Sequence, residues 1–124
     1  MAHGRAGAVR AARVYEPPGP DDGTRVLVDR LWPRGVAKAT AAFDEWLPDV
    51  APTTELRRWY SHDPARFDEF AARYRTELER PEPAAALASL RALRRRGPVT
   101  LLTATKLLDH SHAAVLALVV PEAD

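Results

Sequence analysis

Arg30, Arg34 and Lys38 recur at four-residue intervals in RVLVDRLWPRGVAK, residues 25–38, with Trp32, Pro33 and Gly35 among them. Three cations around a Pro/Gly turn have the makings of an anion site. A guanidinium is a planar fork that matches phosphate or carboxylate, and an ammonium adds a point charge. The turn lets backbone N–H groups come close to a ligand. A second stretch, TLLTATK at residues 100–106, offers Thr103, Thr105 and Lys106. The expected chemistry is binding of a small phosphate- or carboxylate-bearing ligand by Arg30, Trp32, Arg34, Lys38, Thr105 and Lys106. If a reaction is catalysed, Arg34 and Arg30 would stabilise negative charge and His62 is the candidate acid or base.

Each of these residues has a plainer reading. Asp29 and Arg30 are neighbours in an expected strand, so they point to opposite faces. Each would then need its own partner on a helix, because a buried charge must be paired or hydrogen-bonded. Trp32 suits a ligand stack and a lid over the core equally. Lys38 also fits a solvated helix start. The run Ser61-His62-Asp63 is no catalytic triad, since consecutive side chains cannot line up as a relay. His110 and His112, with His62 or Asp109, have the residue types of a metal site. Two positions apart on a helix their rings diverge, so no metal is expected.

Other features bound the function classes. There is no cysteine, which removes disulfides, thiolate catalysis and cysteine–zinc sites. No glycine fingerprint of a nucleotide enzyme is present, and no cofactor is implied. Net charge is +1 and the pI about 8.2, less basic than a dedicated nucleic-acid-binding domain usually is. Nucleic acid therefore stands as the alternative partner, through Arg57, Arg58 and Arg94 to Arg96. The three C-terminal arginines of that helix also complement its macrodipole. A structural or interaction module without a ligand is the third reading. No apolar run is long enough for a membrane, and the N-terminus lacks the apolar centre of a signal peptide. A cytoplasmic protein with no membrane partner is expected. No oligomeric state is implied.

The elements that must position these residues follow from periodicity. Val9–Tyr15 reads as a strand and Glu16–Gly23 as turn. Val26–Trp32 is the strongest strand. Thr40–Leu47 reads as a short helix stopped by Pro48, which places Trp46 in the core. A second short helix is capped by Thr53 or Thr54, with Leu56, Trp59 and Tyr60 inward. Asp63-Pro64 caps a longer helix whose Phe67, Phe70, Ala71, Tyr74 and Leu78 share one face. A helix over Ala84–Arg96 ends at Gly97. Val99–Ala104 is a buried strand. His112–Val120 is an apolar helix capped by Asp109 or Ser111. Helices separate the second and third strands, which predicts a parallel pair joined by a right-handed crossover. The expected fold is a small three-layer α/β domain, with a short, mostly parallel sheet of three to four strands and helices packed around it. The 124 residues suit one domain over residues 8–121 after a disordered tail at 1–7. Ligands of such sheets bind beyond the carboxyl ends of the strands, which would set Arg30 to Lys38 and Thr103 to Lys106 on one rim.

Three segments carry a resemblance. RVYEPPGPDDGTRVLVDRLWPRGVAK, DEWLPDVAPTTELRRWYSHDPARFDEFAARYRTEL and VTLLTATK…HSHAAVLA resemble, in this order, the YeaO-like family, domain of unknown function 488. The likeness runs from Val9 to Leu118. It implies a small cytoplasmic bacterial α/β protein with no established reaction. The family pattern matches Asp29, Arg30, Trp32, Pro33, Arg34, Gly35, Lys38, Trp46, Leu56, Arg57, Trp59, His62, Phe70, Tyr74 and Lys106. The chain departs from it at Thr103, where Tyr is usual, at Leu107, where Asp follows the lysine, and at Pro48, where Lys is usual. Without that Asp beside Lys106, the resemblance implies binding without catalysis.

Overall fold

The computed structural model describes residues 7–122. The expected tail therefore lies outside the described residues as far as residue 6; the N–H of Gly7 donates to the Arg94 carbonyl. Four strands, β1 (Val9–Arg13), β2 (Thr24–Leu27), β3 (Glu45–Trp46) and β4 (Val99–Thr103), form one sheet. Its order is β1-β4-β2-β3 and every neighbouring pair is parallel. Four helices, α1 (Thr54–Tyr60), α2 (Phe67–Glu77), α3 (Pro81–Arg96) and α4 (His112–Val119), complete the small α/β fold. Among the described residues no helix is long and apolar enough to cross a membrane.

Strand alternation divides the apolar residues between two faces. Val9, Ala11, Val26, Val28, Val99 and Leu101 face the larger core. All four helices bury residues there, with Phe70, Tyr74, Leu90 and Leu116 among the least exposed. Ala12, Val14, Leu27 and Leu102 face the other side, where Phe43 packs on them. Irregular chain closes that side. Arg25 is its anchor: the buried guanidinium donates to the carbonyls of Ala42 (2.7 Å) and Glu16 (2.8 Å) and to Asp22 (2.5 Å). Gly23 enters β2 at φ +63°, and a Cβ there would sit 2.0 Å from the Pro98 carbonyl oxygen. Glycine is what allows β2 to approach the start of β4 so closely.

Three elements differ from the sequence expectation. The strand expected over Val26–Trp32 is shorter and earlier, Thr24–Leu27. The N–H of Val28 still donates to the Leu102 carbonyl. At Asp29 the chain leaves the sheet, because the side chain takes a backbone partner on the neighbouring segment. The helix expected over Thr40–Leu47 is absent. A 3₁₀ turn at Lys38–Thr40 and the edge strand β3 stand there instead. Helix propensity is a weak prior, and tertiary partners outweigh it here. The N–H groups of Asp44 and Leu47 donate to Arg25 and Leu27 carbonyls, and the Asp44 carboxylate accepts the Arg25 N–H. Pro48 also disfavours helical geometry at Leu47. Trp46 therefore lies on the sheet edge, 38% exposed, with its indole N–H on the Asp29 carbonyl. Lastly, α3 begins at Pro81, not Ala84. Both prolines fall in the first turn, where a missing N–H leaves no helical bond unmade.

Candidate functional site

Beyond the carboxyl ends of β2 and β4 lies a cavity of about 640 Å³. Small-molecule sites run from roughly 300 to 1,000 Å³. One wall is Asp29 to Arg34, the segment that follows β2. Thr54, Arg57, Arg58 and the turn Tyr60–His62 at the end of α1 form the opposite wall. Ala104, Thr105 and His110–His112 close the third side, and Tyr15 and Phe70 contribute rings. The start of α4 thus lies at the cavity. Among the described residues four arginines line the space, and Asp29 is the one carboxylate in its wall.

Asp29 owes its place to its backbone bond. Its carboxylate accepts the Ala104 N–H at 2.8 Å. His112 Nε2 lies 3.0 Å from the Val28 carbonyl and 3.2 Å from Asp29 Oδ1. The first contact is a hydrogen bond. The second is a close approach without hydrogen-bond alignment, and Oδ1 is buried with no aligned donor. Burial by itself would raise the Asp29 carboxyl; His112, the Ala104 N–H and the Thr103 hydroxyl together outweigh it and hold the group below the usual carboxylate range.

Arg30 is held by the backbone, with no carboxylate partner among the described residues. Its Nη2 donates to the Ala51 carbonyl at 3.0 Å, and its Nε is buried without a partner. Arg34 is exposed on the turn; its carbonyl accepts the Tyr15 hydroxyl at 3.1 Å. Among the described residues no carboxylate pairs with the side chains of Arg34, Arg57 or Arg58. Trp32 donates its indole N–H to the Val36 carbonyl and packs its ring 5.2 Å from Phe43 and 5.5 Å from Trp46. Thr105 is turned inward by its N–H and hydroxyl contacts with the Thr103 hydroxyl.

Two expected members stand apart. Lys38 does not line the cavity; its Nζ sits 5.9 Å over the Trp32 ring. Lys106 is exposed and also outside the wall, because the chain turns outward after Thr105. Leu107, one of the three departures from the family pattern, is exposed beside it. His62 does reach the wall, from an unusual backbone. Ser61 and His62 both have left-handed geometry, φ 49° and 54°.

Sequence reasoning assigned Arg57 and Arg58 to a nucleic-acid surface with Arg94 to Arg96. The structure separates the two groups. Arg57 and Arg58 line the cavity, while Arg94 to Arg96 end α3, just before β4 begins. The length of β4, roughly 17 Å for five residues, lies between those ends. Asp29 and His112 were visible only as a charge in a strand and a helix-start residue. Nothing in their spacing, 83 residues apart, signals that they meet.

A parallel sheet with a basic cleft past its carboxyl edge defines this molecule as a strand-end-cleft α/β protein. The chain belongs to the YeaO-like DUF488 family: the family model described as "Inactive DUF488-N3 subclade" matches residues 8–123. The chain is 58% identical over 109 residues to "Uncharacterized protein Rv3073c" of Mycobacterium tuberculosis (strain ATCC 25618 / H37Rv), covering 88% of this chain and 90% of that one. It is 38% identical over 109 residues to "Uncharacterized protein YeaO" of Escherichia coli (strain K12), covering 88% and 93%. No solved structure matches the chain.

Proposed function

We propose that the cavity binds a small phosphate- or carboxylate-bearing ligand and does so without turning it over. The observation that carries this reading is the charge balance of the wall. Arg30, Arg34, Arg57 and Arg58 all line one space. The one carboxylate there among the described residues, Asp29, is already engaged by Ala104 and His112. Cations left without protein counter-charges around a cleft favour an anion from solution. The matching subclade is described as inactive, which supports binding without turnover.

Calorimetric titration with inorganic phosphate, citrate and ribose 5-phosphate tests the reading. Saturable binding of at least one probe is expected, weakened about 10- to 100-fold by Arg34→Ala. Absence of binding by all three ends it. Binding only to oligonucleotides, with a steep salt dependence, would transfer the arginines to a nucleic-acid role.

A further inference from the structure

His112 is the one histidine of the wall whose tautomer is fixed by its surroundings. Its Nε2 faces two acceptors, the Val28 carbonyl at 3.0 Å and Asp29 Oδ1 at 3.2 Å. A carbonyl can only accept, and an ionised carboxylate can only accept. The proton of the neutral imidazole must therefore sit on Nε2, which leaves Nδ1 a bare lone pair. Among the described residues nothing donates to that nitrogen, and His112 lines the cavity. The other two histidines are not held in this way. His62 is exposed. His110 packs edge-on against Phe67 at 5.1 Å.

The surroundings keep the His112 ring in place. The Tyr74 ring meets it edge-on at 6.1 Å. Asp29 is itself pinned by the Ala104 N–H at 2.8 Å. A carboxylate that orients an imidazole and sets its tautomer is a familiar way to aim the second ring nitrogen. The guanidinium groups of the wall offer only donors. An anion suits them. A hydroxyl on the same ligand also needs an acceptor, and His112 Nδ1 is one that the fold holds ready.

We infer that the Asp29–His112 pair determines ligand specificity: His112 Nδ1 accepts a hydrogen bond from a ligand hydroxyl, so the site takes an anion that also carries a hydroxyl, the chemistry of a sugar phosphate. This rests on the anion-binding reading of the same cavity. Asp29 acts as a positioning residue, and His112 makes the contact.

The test compares inorganic phosphate with ribose 5-phosphate by calorimetry. The wild-type protein should bind ribose 5-phosphate about tenfold more tightly, the worth of one well-placed hydrogen bond. In His112→Gln the side-chain amide can still donate to Val28 but offers no acceptor at the Nδ1 position. The ratio of the two affinities should then fall to about one, with a melting curve confirming that the variant is folded. Nitrogen-15 NMR of the wild-type protein provides a readout that needs no variant. It should show the Nε2–H tautomer for His112 and a shift of Nδ1 when ribose 5-phosphate is added. Equal affinity of the wild type for both probes would leave the anion site standing and overturn this inference alone. So would a preference that survives His112→Gln, or an Nδ1–H tautomer. Failure of phosphate, ribose 5-phosphate and citrate alike would remove the anion reading and the inference with it; binding of citrate alone would keep the anion reading and overturn the inference.

Discussion

The Asp29 carboxylate and the Ala104 backbone N–H meet at 2.8 Å, and their bond ties the segment after β2 to the segment after β4. Strand pairing between them ends just before this point, at Leu27 and Leu102, with one further bond from the Val28 N–H. Past it, both segments turn outward to form cavity walls. The charge that interrupts an apolar strand is thus the fastener that lets two strand ends share a rim.

Removing that fastener should be costly. Asp29→Ala leaves the Ala104 N–H without its partner and should destabilise the fold by about 1–3 kcal/mol, read from urea midpoints. The pH dependence has a defined sign. The folded-state carboxyl is held below its ordinary value, so its stabilisation is complete above the unfolded value of about 3.9 and is lost as pH falls through the folded one. Asp29→Ala should flatten the stability profile below about pH 4. Some acid dependence should survive in the variant. The Gly19 N–H, Arg10 and Arg25 hold Asp22 far below the usual range as well, and that group is untouched. Identical acid profiles for the two proteins would show that Asp29 contributes no proton-linked stability.

Arg25→Met should be among the most damaging single changes. The guanidinium is buried, and it satisfies two carbonyls and one carboxylate at once. Methionine fills part of the volume, strands the Ala42 and Glu16 carbonyls, and leaves Asp22 with only Arg10 and the Gly19 N–H. A fall in Tm of about 10 °C or more is expected by calorimetry. A fall of only a degree or two would mean that water replaces the guanidinium at little cost.

Arg34→Ala should behave in the opposite way. Its side chain is exposed and pairs with no carboxylate among the described residues, so Tm should move by less than about 2 °C. Binding of an anionic probe should weaken at the same time. A drop of several degrees would make Arg34 a structural ion-pair member and remove a main support of the site. Two arginines nine residues apart in one segment are thus expected to separate stability from binding.

The sequence was informative where periodicity and capping decide structure. The cap at Thr53, whose side chain accepts the Leu56 N–H, and the Phe67–Leu78 face were both legible. So was the parallel pairing of β2 with β4, because long helical crossovers demand it. Legibility failed at residues 40–47, where local helix propensity is outweighed by backbone bonds to a strand about twenty residues earlier. At the site, the strand-end rule located Arg30, Trp32, Arg34 and Thr105. It could not place Arg57 and Arg58, since which side of the rim a helix end meets depends on crossover geometry. It also put Lys38 and Lys106 on the rim, whereas turns after Gly35 and Thr105 carry both outward.

Tyr74→Phe tests a contact that periodicity hid. The Phe67–Leu78 pattern marks Tyr74 only as an apolar core position. Its ring is fully buried, and its hydroxyl donates to the Val50 carbonyl at 2.5 Å. That bond fixes the segment beside Ala51, whose own carbonyl holds Arg30. Phenylalanine keeps the packing and strands a buried acceptor, so a loss of about 1–2 kcal/mol is expected in urea unfolding. Wild-type stability in Tyr74→Phe would mean that the Val50 carbonyl finds another donor.

Ser61→Gly should stabilise the protein. Ser61 and His62 are consecutive non-glycine residues in left-handed geometry, at the end of α1. Such geometry costs an L-residue roughly 1–2 kcal/mol. Glycine is the usual choice at this place, and its extra freedom in the unfolded chain offsets only part of the relief. A net gain of about 0.5–1 kcal/mol is expected from chemical denaturation. The hydrogen bond that closes the helix end runs from the Ser61 backbone N–H to the Arg57 carbonyl, so the substitution leaves it intact. Strain kept beside a ligand cleft is commonly tied to the residue it presents, and here that residue is His62. Ser61→Gly with increased stability and weakened binding of anionic probes would link the strain to the placement of His62. A stability loss would show that the turn is relaxed with serine and that the left-handed pair is an ordinary helix ending.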